Sequence, residues 1–305
     1  MSVKFSFEGS NLILITILWF FINSEARSQN LTDNVDMSFG IQAYDPVHIK
    51  VEEKTGSAFS NPIRFAAFNS TYYPFMLVID FIKFDNLAPQ PPGREIKVSH
   101  GANNLFTFSI HVPGIGYGYQ YSYTYWLAPS NEIIDEEFPY LIPISEGRKV
   151  SSKSTLLGRV HDSFIGEIGD TVYCMRRGLV AAAPRSETID FRLSKNDCLE
   201  VLHDDGTYMI YHYLKKSESF TSPGKIVLPG QPIGTLSDSS YLKVILMKIE
   251  KTRNLMIAQP IKYAVGKTGT VSFDEIDGKE KSVHPREIIT REMKSRELKM
   301  FEKKR

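Results

Sequence analysis

Short runs of alternating apolar and polar residues fill the chain between residues 51 and 126. A two-residue period of this kind is typical of strands with one buried face. The clearest runs span 63–68, 75–82, 95–98 and 105–112. Segments rich in proline and glycine, at 89–93 and 113–116, separate them. Several strands at this spacing without a helical period predict an immunoglobulin-like β-sandwich, which we assign to residues 29–128.

The last predicted strand of this domain carries a tyrosine at every second position from Tyr117 to Tyr125. Alternate residues of a strand share a face, so all these rings project on one side. They could form an aromatic platform for sugar rings. We favour a packed inner face or a domain interface, because a buried tyrosine ring contributes large apolar area and its hydroxyl needs a partner.

The second half of the chain contains short apolar segments, typical of strands, that end in glycine or Asp-Gly turns. The segments are Gly169-Asp-Thr-Val-Tyr-Cys, Glu200-Val-Leu-His-Asp-Asp-Gly-Thr-Tyr, Tyr211-His-Tyr-Leu and Pro229-Gly-Gln-Pro-Ile-Gly. Tight turns between such strands predict a compact antiparallel β-domain, here over residues 148–272. The whole chain is therefore predicted to be all-β, with one short helix near its end.

The amino terminus has the residue pattern of a secretory signal. Lys4, an apolar run over 12–22 and small residues at Ala26 and Ser28 predict a signal peptide over 1–28. The run is too short to span a bilayer. We therefore expect a secreted chain, periplasmic or extracellular, that starts near Gln29 and has no transmembrane segment. The alternative is an uncleaved amino-terminal anchor.

Residues 129–147 combine acidic residues with prolines and predict a linker. Residues 273–305 form a charged tail. Good helix formers without glycine or proline fill 286–305, so we expect the tail to be partly helical.

Bulk composition adds two limits. A formal charge of +1 gives no reason to expect a nucleic-acid partner. Cys174 and Cys198 are the two cysteines, and they are compatible with one disulfide or with two free thiols.

Taken in order, the segments from 169 to 234 resemble the lysostaphin-type zinc metalloendopeptidases, bacterial enzymes that cleave peptide cross-links of peptidoglycan. Pro139-Tyr-Leu-Ile-Pro-Ile-Ser-Glu-Gly resembles the start of the peptidase domain in the same family. The resemblance covers about 139–263. It implies the family's antiparallel sheet, built on a duplicated hybrid motif, and a zinc ion held by three protein ligands with an open position for water.

The residues at the family's zinc positions do not suit a metal. Ser163 stands where the resemblance places an aspartate ligand, and 143–160 contains no histidine for the second. Tyr213 replaces an assisting histidine, with His212 expected on the opposite face. Tyr241 and Lys243 replace the histidine pair, and a protonated lysine cannot ligate zinc. We expect no catalytic residue and no cofactor there, but a binding groove floored by Tyr213, Tyr241 and Lys243.

Three functional hypotheses follow. The first is a catalytically inactive relative that binds a peptidoglycan stem peptide or a partner cell-wall hydrolase as scaffold or regulator. The second is an active zinc endopeptidase with displaced ligands at His161, Asp162 and His212, which would require a one-residue strand slip. The third is a structural module of an envelope complex. Neither cysteine is flanked by a histidine motif, and no other catalytic motif occurs.

Overall fold

The computed structural model describes residues 3–8, 47–53, 62–131, 133–151, 161–183, 198–215, 220–237, 240–251, 255–266 and 269–303. These residues form twenty strands and two α-helices, so the fold is all-β, as predicted. The chain divides into two compact units, unit 1 (Met1–Leu127) and unit 2 (Ala128–Arg305).

Unit 1 consists of two four-stranded antiparallel sheets. The first contains, in spatial order, β1 (Val3–Glu8), β8 (Gly118–Leu127), β4 (Phe75–Asp85) and β6 (Ile96–Val98). The second contains β2 (Val47–Glu53), β3 (Ile63–Asn69), β7 (Gly101–Ile110) and β5 (Leu87–Ala88).

Aromatic side chains pack the two sheets of unit 1 against each other. Phe65 of β3 lies with its ring centroid 5.3 Å from that of Tyr119 and 5.3 Å from that of Tyr121, both on β8. Tyr119, Tyr121 and Tyr123 are all buried. The prediction of a packed inner face for the tyrosine strand is confirmed.

The amino-terminal strand falls inside the predicted signal peptide. β1 pairs antiparallel with β8, from Val3 opposite Tyr123 to Glu8 opposite Gly118. The apolar run at 12–22 and the cleavage site at Ala26 to Ser28 lie outside the described residues.

One large antiparallel sheet dominates unit 2. Its spatial order is β10 (Asp162–Ile165), β17 (Tyr241–Glu250), β14 (Tyr208–His212), β13 (Leu199–Leu202), β12 (Gly178–Ala182) and β15 (Ile226–Val227). A seventh strand, β18 (Leu255–Gln259), pairs with the carboxyl-terminal half of β17.

Two smaller sheets complete unit 2. β11 (Thr171–Tyr173) pairs with β16 (Pro232–Thr235). β9 (Pro139–Tyr140), β19 (Lys262–Val265) and β20 (Gly269–Ser272) form the other, in which β19 pairs antiparallel with β20 and parallel with β9. The core of unit 2 joins one face of the large sheet, including Phe164 and Tyr211, to Tyr140, Val172 and Tyr263 from the small sheets.

The segment 129–147, predicted to be a linker, belongs to unit 2 instead of lying between the units. Phe138, Tyr140, Ile142 and Ile144 are part of the buried core. Ser130 is buried as well, and its hydroxyl donates to the carbonyl of Gly206 at 2.8 Å. Burying apolar side chains is worth about 2 kcal/mol each, which is why this stretch packs against the sheet.

The hairpin between β13 and β14 turns at Asp204, Asp205 and Gly206. Gly206 has φ of +80°, and an added Cβ would lie 2.9 Å from Cα of Ser130, so this position requires glycine. Asp205 Oδ1 accepts hydrogen bonds from the backbone N–H and the hydroxyl of Thr207. The turn lies where the sequence predicts it.

Two short helices, α1 (Arg286–Thr290) and α2 (Ser295–Lys303), form the predicted charged tail. Two buried arginines form salt bridges with this tail. Arg176 binds Glu292, and Arg177 binds Glu297 with its Nε 2.9 Å from Oε2. Among the described residues, no helix is long and apolar enough to cross a membrane.

Candidate functional site

Four polar side chains form one row across the large sheet of unit 2. Ser163 of β10 is directly opposite Lys243 of β17, and Lys243 is opposite His212 of β14. Cys198, next to the paired residue Leu199, continues the row with Sγ 2.8 Å from Nδ1 of His212. We call this set, Ser163, Lys243, His212 and Cys198, the lysine row.

The lysine row projects from the face of the sheet that points away from the core. The sequence neighbours of its members, Phe164, Leu242, Tyr211 and Leu199, all belong to the core of unit 2. Since adjacent residues of a strand point to opposite faces, the row lies on the other side. There, polar groups from four chain segments converge, although they are far apart in the sequence.

Lys243 is the charged centre of the row. The side chain is half-buried, and burial lowers the pKa of its ammonium group, while Tyr241 and Cys198 act in the opposite direction. Within the described parts of the chain, Lys243 forms no salt bridge. A cation that is partly removed from water favours an anionic partner.

His212 lies between Lys243 and Cys198. Burial, followed by the positive charge of Lys243 and by His161, lowers the pKa of His212 to about 4. The imidazole is therefore neutral at physiological pH and has a lone pair available as a hydrogen-bond acceptor. Its Nδ1 is the atom that contacts the thiol of Cys198.

Two tyrosines border the row. The rings of Tyr213 and Tyr241 meet edge to face, with centroids 5.2 Å apart. Tyr213 directly follows β14 and has φ of +67°, in the left-handed region that is unusual for a residue with a side chain. The packing of its ring on Tyr241 keeps it beside the lysine row.

The structure corrects the predicted orientation of His212. We expected it on the face opposite the groove residues, but it is paired with Lys243 and shares its face. The expectation assumed that strand alternation continues through Tyr213. β14 ends at His212, and the left-handed backbone of Tyr213 breaks the alternation there.

The three proposed displaced zinc ligands lie on both faces of the sheet. Asp162 is paired with the core residue Val244, and its Oδ2 accepts a 2.6 Å hydrogen bond from the hydroxyl of Tyr263. His161 is close enough to His212 to affect its pKa. The described residues contain no group of three or more His, Cys, Asp or Glu side chains arranged to hold a metal ion.

The cysteines are both free, which answers the question that the sequence left open. Cys174 is buried in the core, where its Sγ donates to the carbonyl of Arg176 at 3.0 Å, and burial raises its pKa to about 12. Cys198 is half-buried in the lysine row.

No flanking sequence motif indicates the contact between Cys198 and His212, because the two residues are 14 positions apart in the chain. A usable signal exists in the hairpin. Cys198 and His212 lie seven residues before and after Asp205, in the middle of the turn, and so they face each other once the strands pair.

Comparisons with known proteins add no assignment. The chain matches no protein-family model, and no curated protein is significantly similar to it.

Proposed function

We propose that unit 2 is a catalytically inactive, lysostaphin-like domain that binds peptides through their carboxylates, with the stem peptide of peptidoglycan as its ligand. The observation that carries this proposal is Lys243, a half-buried ammonium group without a carboxylate partner among the described side chains. In this proposal the protein acts after export, in the periplasm or outside the cell, as a scaffold or regulator of cell-wall hydrolases.

The chemistry of the lysine row supports binding better than hydrolysis. Lys243 stands at the centre, where the resemblance calls for a histidine, and its positive charge repels a divalent cation while attracting a carboxylate. The rings of Tyr213 and Tyr241, packed edge to face, lie beside this cation and add apolar surface next to it. A cation beside aromatic rings suits a short peptide that carries a carboxylate.

The test is a calorimetric titration of the purified protein with a soluble stem peptide. We expect Lys243→Gln to weaken binding by about 10-fold to about 100-fold, the range for losing a charge-assisted hydrogen bond. Amidating the peptide's carboxylates should weaken binding to the wild-type protein similarly.

Lys248 provides the matched control. It lies on the same strand as Lys243, but an odd number of residues away, and therefore on the other face. Lys248→Gln should leave the affinity unchanged. Equal affinities for the wild-type protein and Lys243→Gln would rule out the proposed site.

A further inference from the structure

We propose that Cys198 is a nucleophilic thiol that His212 and Lys243 activate, and that it forms mixed disulfides with small disulfides bearing carboxylates. The inference concerns a covalent modification site, and it stands whether or not the domain binds peptidoglycan peptides.

The first argument is the contact between the two reacting groups. Sγ of Cys198 and Nδ1 of His212 are 2.8 Å apart, within reach for direct transfer of the thiol proton. His212 comes from the partner strand of the same hairpin, whose register places it opposite the cysteine. The thiolate that forms as the proton leaves is an opposite charge beside the imidazolium, and it offsets the effects of burial and of Lys243 on the protonated ring.

The second argument is the charge beside the pair. Lys243 is the cross-strand neighbour of His212, and it interacts electrostatically with Cys198. A nearby ammonium group stabilises a thiolate and also attracts an anionic reagent. Among the described residues, the groups that interact with His212 include Lys243, His161, Cys198 and Tyr213.

The reaction balances without a further oxidant. The thiol proton of Cys198 passes to Nδ1 of His212, and the sulfur attacks one sulfur of the incoming disulfide. The S–S bond of that disulfide breaks, and a new bond to Sγ forms. The released thiolate takes the proton from His212, so that Cys198 is oxidised and the released half is reduced to a thiol.

The chain contains its own negative control. Cys174 is the second free thiol, fully buried in the core, and its Sγ donates to a backbone carbonyl. Buried structural cysteines of this kind are inert. Selectivity between the two cysteines can therefore be read in the wild-type protein, without any variant.

The experiment follows the reaction of the native full-length protein with dithiobis(nitrobenzoate), an anionic disulfide, and maps the modified cysteine by peptide mass spectrometry. Cys198 should react first and Cys174 only after unfolding. The hydrogen bond to His212 and the ammonium group of Lys243 both favour the thiolate over the thiol. We therefore expect Cys198 to react several-fold faster in the native protein than in the chain unfolded in urea.

Burial alone would have the opposite effect and slow the reaction. A slower reaction of Cys198 in the native protein, or equal labelling of both cysteines, would overturn the inference.

Two variants separate the roles of the neighbours. His212→Gln should slow the reaction with either type of disulfide. Lys243→Gln should slow the reaction of Cys198 with dithiobis(nitrobenzoate) several-fold more than its reaction with uncharged dithiodipyridine. Lys248→Gln, on the other face of the sheet, should change neither rate. Unchanged rates in both His212→Gln and Lys243→Gln would contradict the proposed activation.

Discussion

Arg176 connects three parts of unit 2 through one guanidinium group. Its Nη1 donates to Asp205 at 2.8 Å and to the hydroxyl of Tyr140, and Nε and Nη2 donate to Glu292. The guanidinium carbon lies 4.0 Å from the centroid of the Phe138 ring. A buried ion pair of this kind is costly to break, because removing one partner leaves the other charges buried without compensation.

We predict that Arg176→Met lowers the free energy of unfolding of unit 2 by about 3–5 kcal/mol. Arg291→Met is the control, because Arg291 also contacts the Phe138 ring but is 47% exposed in its pair with Asp135. This exposed pair should contribute about 1 kcal/mol or less. Native-state hydrogen exchange of the β13 and β14 amides measures the stability of unit 2 directly. Equal losses in the two variants would contradict this account.

His203 links the stability of unit 2 to pH. It is fully buried, and its Nδ1 donates to the carbonyl of Arg177 at 2.8 Å. Among the described residues, its Nε2 has no hydrogen-bond partner. Burial, followed by the charge of Arg176, lowers the pKa of His203 to about 4. Protonation therefore favours the unfolded chain, in which the pKa is about 6.5.

The stabilisation that depends on neutral His203 is complete above the unfolded pKa and is lost as the pH falls toward the folded pKa. Between about pH 7 and about pH 5 we expect a loss of about 2 kcal/mol from this residue alone. Hydrogen exchange of the same amides at both pH values should show a shallower dependence in His203→Gln. Identical slopes in the variant and the wild-type protein would contradict this role of His203.

At the scale of the elements, one carboxylate pairs α2 with a buried arginine of the sheet region. Glu297 accepts two hydrogen bonds from Arg177, at 2.9 Å each, and one from the backbone N–H of Lys294. Its side chain is 21% exposed. The short helix has no fully buried residue, so we expect this pairing to contribute to its stability beside the partial burial of its apolar side chains.

We predict that Glu297→Gln raises amide hydrogen exchange in α2 about tenfold, because the single neutral oxygen of an amide accepts weaker hydrogen bonds from Arg177 than a carboxylate does. Glu302→Gln is the control, since Glu302 pairs with Arg286 at the surface, where both side chains are 51% exposed. Mass spectrometry of the exchanged peptides locates the effect. An unchanged α2 in Glu297→Gln would show that other contacts hold the helix.

The positions of the strands were easier to predict from the sequence than the distant segments that pack against them. Residues 63–68 and 75–82 were predicted to be strands, and β3 and β4 cover them. Glycine and aspartate favour tight turns through interactions between adjacent residues, so the turn at Gly206 could be predicted from the sequence. The role of 129–147 was not predicted, because proline and acidic residues resemble a linker, whereas the burial of Tyr140 and Ile142 depends on strands more than 100 residues away.

The candidate site shows the same contrast. Tyr241 and Lys243 were identified through the family resemblance, as the residues at the positions of its histidine pair, and the structure has both on β17. The predicted orientation of His212 failed because a single left-handed residue, Tyr213, ends the alternation. Cys198 was missed because its partner is close only after the hairpin forms.

At the scale of the whole molecule, strand β1 lies within the segment that the proposed export would remove. β1 (Val3–Glu8) cannot remain paired with β8 if residues 1–28 are removed on export. The proposed secretion therefore predicts that the exported protein begins at Gln29, with the β8 edge freed of β1. Mass spectrometry of the intact protein from the extracytoplasmic fraction measures this directly. An exported chain that retains Met1 to Glu8 would contradict the proposed cleavage.

The central claim is that the sheet face around Lys243 binds peptidoglycan without cleaving it. The most direct test incubates the purified protein with intact peptidoglycan in the presence of zinc, and then measures both co-sedimented protein and newly released amino groups. The account predicts that the wild-type protein sediments with the polymer, that Lys243→Gln stays in solution, and that no amino groups are released. Catalytic release of amino groups by the wild-type protein, or equal sedimentation of both proteins, would contradict it.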